Sequence, residues 1–457
     1  MKTALVNIKD VKSARLRTDA SYHLSEGQAV QRDIASSPYP LMKVRDVAND
    51  IFIGNRAKRV YVSSADHGIP FLSSSDILKG DLEHVKLASK KYTPEIEKML
   101  LHKGWTLISR SGTIGNCAFA NAKHAQKLAS EDVIRLVPNN ILRGGLVYAY
   151  LASKYGHSLL TQGTFGAVIQ HIEPDFVGSL PIPHFSETFQ KEVDDLMQES
   201  VRLREEAVDA LEEAKGLIMD FCQEEYATTR LKRFVSVKIK GVRSTLNTRF
   251  DPTIYINKGV QWVKSIHKQS TRLGDLNVMM WYPGIFKRAY VENGLPYLKG
   301  SSVFDVNPFK TCDHLSKART PKLDDLWLKE GMLLITCAGA CGLVKMITKE
   351  YEDKGAIGSP DIIRLVSNDT LFTTEYIFAY LQLPPIYDYM QSLKYGSVIE
   401  RFDIENIKTI PIVRPTEELS QAVTDIVKSY MAKTYRAFNC EEQAISMVER
   451  EIESWNK

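Results

Sequence analysis

The sequence lacks the features of a membrane-embedded, secreted or zinc-ribbon protein. No uninterrupted apolar run reaches the ~18 residues that a membrane helix needs, and the opening stretch MKTALVNIKD is interrupted too early for a secretory signal. The six cysteines include no Cys-x-x-Cys pair, which speaks against a zinc ribbon or a redox pair. Cys337 and Cys341 lie four residues apart, without a second ligand pair nearby in the sequence. We therefore expect a cytoplasmic protein with free thiols and no metal site.

Motifs of common enzyme classes are also missing. The chain contains no Gly-x-x-x-x-Gly-Lys-Ser/Thr phosphate loop, no His-Glu-x-x-His and no Gly-x-Ser-x-Gly. Residues 251–255, DPTIY, approach the Asn/Asp-Pro-Pro-aromatic box of a methyltransferase that acts on base amino groups, but they lack its second proline. None of these patterns therefore points to an enzyme.

The chain does contain a long internal repeat. Five short motifs occur twice, and the separation between the copies rises slowly from 226 to 230 residues. A duplication with small loop insertions produces such a drift, and the period is far longer than the ~20 to 50 residues of a solenoid repeat. The sequence therefore predicts two copies of one domain. The repeated motifs are IPFL (69–72) and LPYL (295–298), SRSGTIG (109–115) and TCAGACG (336–342), DVIRLV (132–137) and DIIRLV (361–366), GAVI (166–169) and GSVI (396–399), and PI (181–182) and PI (411–412).

Each copy runs into a long, charged segment with helical periodicity. In residues 185–222 apolar residues alternate at spacings of four and three, which is typical of a coiled-coil seam. The C-terminal segment has a similar seam that slips around residues 434–438, as at a stutter. Two such helices most simply pack antiparallel on each other; a lone amphipathic helix lying on its own domain is the alternative. The predicted seam comprises Phe189, Val193, Leu196, Leu203 and Leu217 in the first helix and Leu419, Val423, Ile426 and Tyr430 in the second.

The rest of the sequence has the short strands and helices of a mixed α/β (α+β) fold. Segments such as WTLI (105–108) and MLLI (332–335) are predicted strands that end in Gly-x-x-Gly loops. We predict a globular domain at residues 1–184, a spacer helix at 185–230, a second globular domain at 231–413 and a C-terminal spacer helix at 414–457. The halves are expected to be related by a pseudo-twofold axis, with the antiparallel helices between the globular domains.

A formal net charge of +4 hides a strong segregation of charge along the chain. Residues 186–226 carry a balance of −9 and residues 415–457 a balance of −3, which leaves +16 for the remainder. A basic excess on that scale is expected of a protein that binds a phosphate backbone, although a scatter of solvated lysines would give the same count. The globular parts are therefore the candidates for binding a nucleic acid.

Candidate contacts with DNA occupy matched places in the two copies. The pairs Lys58-Arg59 and Lys287-Arg288 are each followed by x-Tyr-Val, a combination that suits backbone contacts but also fits ordinary surface cations. The Gly-x-x-Gly loops could cradle phosphates with their N–H groups, or could simply be tight turns. The residues at the loop tips differ between the copies, as expected if the two domains bind different DNA sequences. Glutamine and arginine, which pair with adenine and guanine, follow the next repeated motif. The predicted DNA-binding residues are Arg56, Lys58, Arg59, Arg110, Ser111, Thr113, Gln170 and His171 in the first copy and Lys287, Arg288, Lys394, Tyr395 and Arg401 in the second.

The whole pattern resembles the specificity subunit of type I restriction-modification systems, HsdS. Its best local marks are LPIP (180–183) and IPI (410–412) just before the helices, together with the Gly-x-x-Gly loops. The family often has a Pro-Pro-Leu-x-Glu-Gln run into the helix, whereas this chain has HFSETFQ (184–190) and RPTEEL (414–419). The resemblance covers essentially the whole chain.

The resemblance implies two target recognition domains, each reading one half of a bipartite site in double-stranded DNA. It implies helices that space these domains and dock two modification subunits, which carry S-adenosylmethionine and methylate adenine. Restriction subunits with ATP- and Mg-dependent translocase and nuclease activity would join the complex. The chain itself would be non-catalytic and would need no bound cofactor. Two alternatives stay open: a specificity subunit of another restriction system, and a scaffold whose two domains bind proteins.

Overall fold

The computed structural model describes residues 6, 8, 26–56, 58–80, 82–162, 171–223, 226, 234–243, 248–300, 302–339, 341–396 and 400–455. The chain divides into two compact units. Unit 1 comprises Met1–Glu205 and Arg436–Lys457, and unit 2 comprises Glu206–Tyr435. In the described part of the chain, no helix combines the length and the apolar character needed to cross a membrane.

The globular part of unit 1 consists of short strands and short helices, and it leads into one long helix. The strands are β1 (Leu41–Lys43), β2 (Ala48–Ile53), β3 (Tyr61–Val62), β4 (Gly68–Leu72), β5 (Lys86–Ser89), β6 (Thr106–Ser109), β7 (Cys117–Phe119), β8 (Leu128–Ala129), β9 (Val133–Pro138) and β10 (Pro181–Pro183). The helices are α1 (Glu26–Ala35), α2 (Ile96–Met99), α3 (Gly144–Ala152), α4 (Lys154–Gln162), α5 (Pro174–Ser179) and the long α6 (Glu187–Cys222).

Unit 2 repeats this sequence of elements and also leads into a long helix. Its strands are β11 (Ser270–Arg272), β12 (Val278–Trp281), β13 (Tyr290–Leu298), β14 (Asp313–Leu315), β15 (Leu333–Thr336), β16 (Val344–Met346), β17 (Ile357–Gly358), β18 (Ile362–Ser367) and β19 (Pro411–Val413). Its helices are α7 (Ile239–Arg243), α8 (Thr253–Ile256), α9 (Lys258–Ser265), α10 (Leu323–Leu326), α11 (Lys349–Asp353), α12 (Thr374–Leu381), α13 (Pro384–Leu393), α14 (Ile404–Lys408) and the long α15 (Glu417–Ser454).

Two sheets of unit 1 have counterparts of the same connectivity in unit 2, and the third has one strand more, with the order β3-β5-β4-β8 against β14-β13-β17. A four-stranded sheet has the order β2-β9-β6-β7 in unit 1 and β12-β18-β15-β16 in unit 2. β1 pairs antiparallel with β10 as β11 does with β19, and β4 pairs in parallel with β8 as β13 does with β17. Every residue of β6 and β15 is buried, which explains their continuous rather than alternating apolar sequence. The predicted duplication and the mixed α/β class are confirmed.

Each unit also contains one half of each long helix. In unit 1 the first half of α6 packs on the second half of α15, where the Ser200 hydroxyl donates to the carbonyl of Ala437 at 2.7 Å. In unit 2 the second half of α6 packs on the first half of α15, where Lys433 Nζ lies 3.4 Å from Glu206 Oε2. The long helices are therefore antiparallel, as predicted. Each globular part therefore packs with two half-helices.

The buried stripe of the long helices is continuous with the core of each globular part. Val193 and Val201 of α6 and Val448 of α15 belong to the core of unit 1, together with Leu146 and Tyr150 of α3. The helices thus pack on each other and on the globular cores at once. Among the predicted seam residues, Val193, Leu203 and Val423 are buried and Phe189, Leu196, Leu419, Ile426 and Tyr430 are half-buried.

The heptad register predicted for α6 is wrong at Leu217. That side chain is 36% exposed, whereas Ala214, Ile218 and Cys222 are fully buried. The buried residues follow one another at spacings of four, so the stripe drifts around the helix relative to a strict seven-residue repeat. This stretch packs on the globular core of unit 2 as well as on α15, and that core selects Ile218 instead of Leu217.

A buried polar group in unit 1 connects the globular part to both long helices. Glu441 of α15 is 4% exposed; it accepts hydrogen bonds from the Tyr148 hydroxyl of α3 and from Arg204 Nη2 of α6, the latter at 2.5 Å. Burial, together with the Glu441 charge and hydrogen bond, raises the pKa of Tyr148 well above its usual value, so the hydroxyl stays a donor. The orientation of three elements therefore depends on one carboxylate.

We predict that Glu441→Leu destabilises unit 1 by about 3 to 5 kcal/mol, because it leaves the half-buried Arg204 and the buried Tyr148 hydroxyl without their partner. The triple variant Tyr148→Phe, Arg204→Thr, Glu441→Leu should recover most of this loss, since it copies the residues of unit 2. Hydrogen exchange of α3 measures the effect, with α12 of unit 2 as the internal reference. Equal losses in both variants would contradict the prediction. The matching residues of unit 2 are Phe378, Thr434 and Leu211.

A buried histidine distinguishes unit 1 from unit 2. Nε2 of His124 lies 3.2 Å from the carbonyl of Ile77, and Nδ1 lies 2.9 Å from Asn121 Oδ1. Burial lowers the pKa of His124 to about 4. In unit 2 the matching residue is Tyr351, whose hydroxyl donates to the carbonyl of Val303 at 3.0 Å. Of these two side chains, only His124 titrates in mild acid.

Unit 1 should therefore lose stability in acid through His124. The folded-state pKa of about 4 lies below the unfolded value of 6.5, so the unfolded chain binds the proton more tightly. The contribution of neutral His124 to the free energy of unfolding is complete above pH 6.5 and is lost as the pH falls to 4. At ~1.4 kcal/mol per pH unit, this contribution is roughly 3 kcal/mol. Hydrogen exchange at pH 7 and pH 5, corrected for intrinsic rates, should show this loss, and His124→Gln should abolish it. An unchanged pH dependence in the variant would refute the assignment.

Candidate nucleic-acid interface

The Gly-x-x-Gly loops have the same backbone conformation in both units. The first glycines, Gly112 and Gly339, have φ of +73° and +72°, and the second, Gly115 and Gly342, have φ of +78° and +82°. Side chains with a Cβ rarely adopt this left-handed region, so glycine is required at both ends of the loop. Each loop directly follows the central strand of its sheet, β6 or β15, as the sequence predicted.

Backbone hydrogen bonds hold each loop against two neighbouring segments. Arg110 N donates to the carbonyl of Asp132 at 2.8 Å, and the carbonyl of Arg110 accepts from Ile172 N at 3.3 Å. The loop, the start of β9 and the segment at residues 171–173 therefore form one surface. The matching bonds of unit 2 run from Cys337 N to the carbonyl of Asp361 (3.2 Å) and from Phe402 N to the carbonyl of Cys337 (3.0 Å).

The second cation of each basic pair lies over an aromatic ring of the repeated strand motif. The guanidinium carbon of Arg59 is 5.3 Å from the ring centre of Phe71 on β4, and that of Arg288 is 5.5 Å from the ring centre of Tyr297 on β13. Arg288 Nε also donates to the Tyr297 hydroxyl at 2.7 Å. Attraction between the cation and the ring holds both arginines beside the Gly-x-x-Gly surface. The first cations of the pairs, Lys58 and Lys287, are exposed.

Carboxylates surround the basic pair of unit 1. Arg59 Nη2 lies 2.9 Å from Glu131 Oε2 and 4.0 Å from Asp132 Oδ2. Desolvation opposes the charged form, but the hydrogen bond and charge of Glu131 outweigh it and raise the pKa of Arg59. Arg56, whose side chain is 91% exposed, lies 3.9 Å from the same Glu131. Of the three predicted cations Arg56, Lys58 and Arg59, the two arginines therefore share the carboxylate of Glu131.

Arg110 contacts its own unit through both ends of its guanidinium. Nη2 forms an ion pair with Glu173, Nε donates to the carbonyl of Ile172 at 3.1 Å, and the side chain is only 15% exposed. The side chain therefore holds the loop to the segment at residues 172–173. A contact between Arg110 and a base would require these bonds to break.

The other predicted residues of unit 1 line the same loop. Ser111 is buried and its carbonyl accepts from the Ser109 hydroxyl at 3.1 Å. Thr113 is exposed at the tip, with its hydroxyl 2.9 Å from that of Ser109. His171 is half-buried directly beside the loop. Gln170 lies outside the described residues.

The predicted residues of unit 2 surround the second loop. Arg401 is exposed, and its backbone pairs with that of Tyr395 through hydrogen bonds of 2.7 and 3.0 Å. The Tyr395 hydroxyl donates to Asp403 Oδ2 at 3.0 Å, and Lys394 Nζ pairs with Glu400 Oε2 at 2.5 Å. An exposed arginine and a tyrosine that is 38% exposed thus stand beside the loop at residues 337–342.

Two fully buried arginines support both surfaces, and neither is among the site residues predicted from the sequence. Arg135 of β9 and Arg364 of β18 are 0% exposed, and no carboxylate among the described residues forms an ion pair with either. Burial lowers the pKa of each to about 10, which leaves both charged at neutral pH. Their partners are carbonyls: those of Ser130 (2.9 Å), Val133 (2.6 Å), Met99 (3.4 Å) and Ala129 for Arg135, and those of Ser359 (2.9 Å), Ile362 (2.6 Å), Leu326 (3.4 Å) and Gly358 (2.8 Å) for Arg364.

These bonds fix the turn that precedes β9 or β18. The same turn carries Glu131 and Asp132 in unit 1 and Asp361 in unit 2, which face the loop and the basic pair. The arginine of the repeated DVIRLV and DIIRLV motifs therefore positions the candidate interface from inside the protein. The motif alone does not reveal this role, since it reads the same whether its arginine is buried or exposed.

Comparison with known proteins gives matches only among solved structures, since neither a family model nor a curated protein matches the sequence. The similar chains come from type I restriction-modification systems. The S subunit from M. genitalium is 11% identical, with a TM-score of 0.33, over 91% of this chain and 96% of that one. The HsdS subunit from Thermoanaerobacter tengcongensis is 12% identical, with a TM-score of 0.28, over 91% and 97%. Scores of this size carry no argument about function, which rests on the site itself.

We predict that Arg364→Met selectively destabilises unit 2, and Arg135→Met unit 1, by about 2 to 4 kcal/mol. Four buried carbonyls would lose their donors while the side-chain volume stays similar. Hydrogen exchange of β17 and β18 should rise in the first variant and that of β8 and β9 in the second. Each variant is the control for the other, and a loss of protection spread equally over both units would be inconsistent with a local role.

Proposed function

We propose that this chain is the DNA sequence-specificity subunit of a type I restriction-modification complex, in which each unit reads one half of a bipartite site. The observation that carries the proposal is the repeated surface. Both units place a glycine-bounded loop, an arginine stacked on an aromatic ring and a turn fixed by a buried arginine in the same relation to one another. A duplicated surface of this kind suits two successive stretches of one polymer.

The residues at and beside the loops differ between the two units, which supports the recognition of two different half-sites. The backbone bonds of the loop are kept, but Arg110 is replaced by Cys337 and His171 by Arg401. Side chains at such positions can contact base edges, whereas the constant parts contact phosphates and set the register. The two units would therefore recognise different sequences with one docking geometry.

The chemistry of unit 2 favours a nucleic-acid ligand over a protein. Lys287, Arg288 and Arg401 are exposed cations, and Tyr282 and Tyr395 are exposed aromatic residues at 53% and 38%. Cations bind the phosphate backbone, and tyrosines supply polar contacts and apolar surface to sugars and bases. This combination distinguishes the DNA proposal from the two-armed protein scaffold.

The long helices are proposed to space the two units and to dock the modification subunits. Their buried stripe is used within the chain, but α6 keeps an outer face with exposed acidic residues such as Glu192, Glu212 and Glu213. Methylation and cleavage would belong to the partner subunits, which would bring S-adenosylmethionine and ATP. The present chain would supply recognition alone.

Selection from a random duplex pool tests the proposal directly. We expect two fixed blocks of sequence at a constant separation, and methylated adenines in the native genome should fall within the same motif. The double variant Lys287→Ala, Arg288→Ala should weaken binding to every sequence and reduce the salt slope by up to about 1.8, or ~0.9 per lost phosphate contact. Lys329→Ala, Lys428→Ala is the charge-matched control outside the interface. Absence of enriched motifs together with salt-independent binding would reject the function.

A further inference from the structure

The cations of the unit 1 surface belong to one continuous network of ion pairs. Glu131 contacts Arg56 at 3.9 Å and Arg59 at 2.9 Å. Asp132 lies 4.0 Å from both Arg59 and Arg110, and thereby joins the basic pair to the Gly-x-x-Gly loop. Glu173 closes the far end of the network on Arg110. Three cations are thus balanced by three carboxylates.

In the described part of unit 2, no comparable network occurs at the matching places. Glu131 is replaced by Pro360, and Arg110 by Cys337. Among the described residues, Arg288 has the neutral Tyr297 hydroxyl as its hydrogen-bond partner, and neither Arg288 nor Lys287 forms an ion pair. The counterpart of Glu173 is Asp403, which accepts from the Tyr395 hydroxyl instead of pairing with an arginine. Cationic charge is therefore open to a ligand in unit 2.

The partial burial of these ion pairs determines how strongly they resist an approaching anion. The side chains of Glu131 and Arg59 are 16% and 36% exposed, so their attraction is screened less than that of a fully solvated pair. A phosphate that approaches Arg59 must displace the carboxylate or accept its repulsion. The displaced carboxylate then attracts a cation from solution, which offsets the cation that the neutralised phosphate releases, so the exchange adds little salt dependence.

We propose, building on the DNA-binding function above, that Glu131 competes with DNA phosphates for Arg59 and that Glu173 competes with base edges for Arg110. Unit 2 then supplies most of the salt-dependent backbone affinity. Unit 1 exchanges its internal ion pairs for DNA contacts only where the bases also fit. The carboxylates of unit 1 are therefore specificity-determining residues, because they lower its affinity for unmatched DNA.

Glu131→Gln is the first test, since glutamine keeps the size and a hydrogen-bond acceptor for Arg59 but removes the charge. We expect the full-length variant to bind random double-stranded DNA about 3- to 10-fold more tightly at ~0.1 M salt, with a salt slope steeper by about 0.9 for one added phosphate contact. Glu192→Gln, which makes the same change of net charge on the exposed face of α6, should leave affinity within about twofold, as expected for distant surface charge.

Two further variants locate the effect. Glu173→Gln should act in the same direction through Arg110, and it provides an independent test if Glu131→Gln perturbs the fold. Arg59→Ala combined with Glu131→Gln should abolish the gain, because the freed cation is gone. A gain that persists without Arg59, or that Glu192→Gln reproduces, would overturn the competition.

The outcomes separate this inference from the proposed function. Wild-type chain that binds no DNA would reject the function itself. Salt-dependent binding by the wild type, with unchanged affinity and slope in both Glu131→Gln and Glu173→Gln, would reject only the competition. Tighter binding to random DNA with a reduced preference for the selected bipartite motif is the result expected if the carboxylates enforce specificity.

Discussion

The donation of hydrogen bonds by a buried arginine to a ring of carbonyls is the contact on which each candidate interface depends. A guanidinium has five N–H donors in a rigid plane, so one side chain can satisfy several carbonyls that a tight turn leaves without partners. Arg135 and Arg364 do this at the turn before β9 or β18, the second strand in the order of each four-stranded sheet. Since that turn carries Asp132 or Asp361, and the Gly-x-x-Gly loop bonds to the aspartate carbonyl, the arginine positions both from inside the protein.

Around this constant support, the two units have diverged in their charges. Unit 1 pairs its arginines with Glu131, Asp132 and Glu173, whereas unit 2 keeps Arg288 on a tyrosine. The same division appears in the cores. Unit 1 has His124 and the Glu441 group, and unit 2 has Tyr351 and the uncharged set Phe378, Thr434 and Leu211 at the matching places. Duplication preserved the backbone hydrogen bonds because they define the fold, while side chains at the same places changed without moving the chain.

Each long helix contributes one half to unit 1 and the other half to unit 2. Each half-helix buries its apolar stripe in the core of one unit, so no part of α6 or α15 behaves as a free spacer. The last turns of α6 follow the shape of that core, which explains why Ile218 is buried and Leu217 is not. The helices are thus part of the domains they connect, and a change in their length would have to keep the stripe in register with both cores.

The sequence by itself determined the duplication, the mixed α/β class, the pair of long helices and the loops at which two glycines recur. These features are local or periodic: a left-handed turn demands glycine, and an amphipathic helix shows its stripe at any place in a fold. The sequence also located the basic pairs, but it could not tell that Arg59 faces Glu131, which is 72 residues away, while Arg288 faces Tyr297.

Only the tertiary structure decided which charges are open and which are paired. Arg135 looks like a surface cation and Arg110 looks like an exposed loop tip, yet Arg135 is fully buried and the Arg110 side chain is only 15% exposed. The helix register at Leu217 was decided in the same way, by a core that the seven-residue pattern does not contain. Burial and pairing arise from contacts between remote segments, and the order of residues along the chain does not encode those contacts in any short pattern.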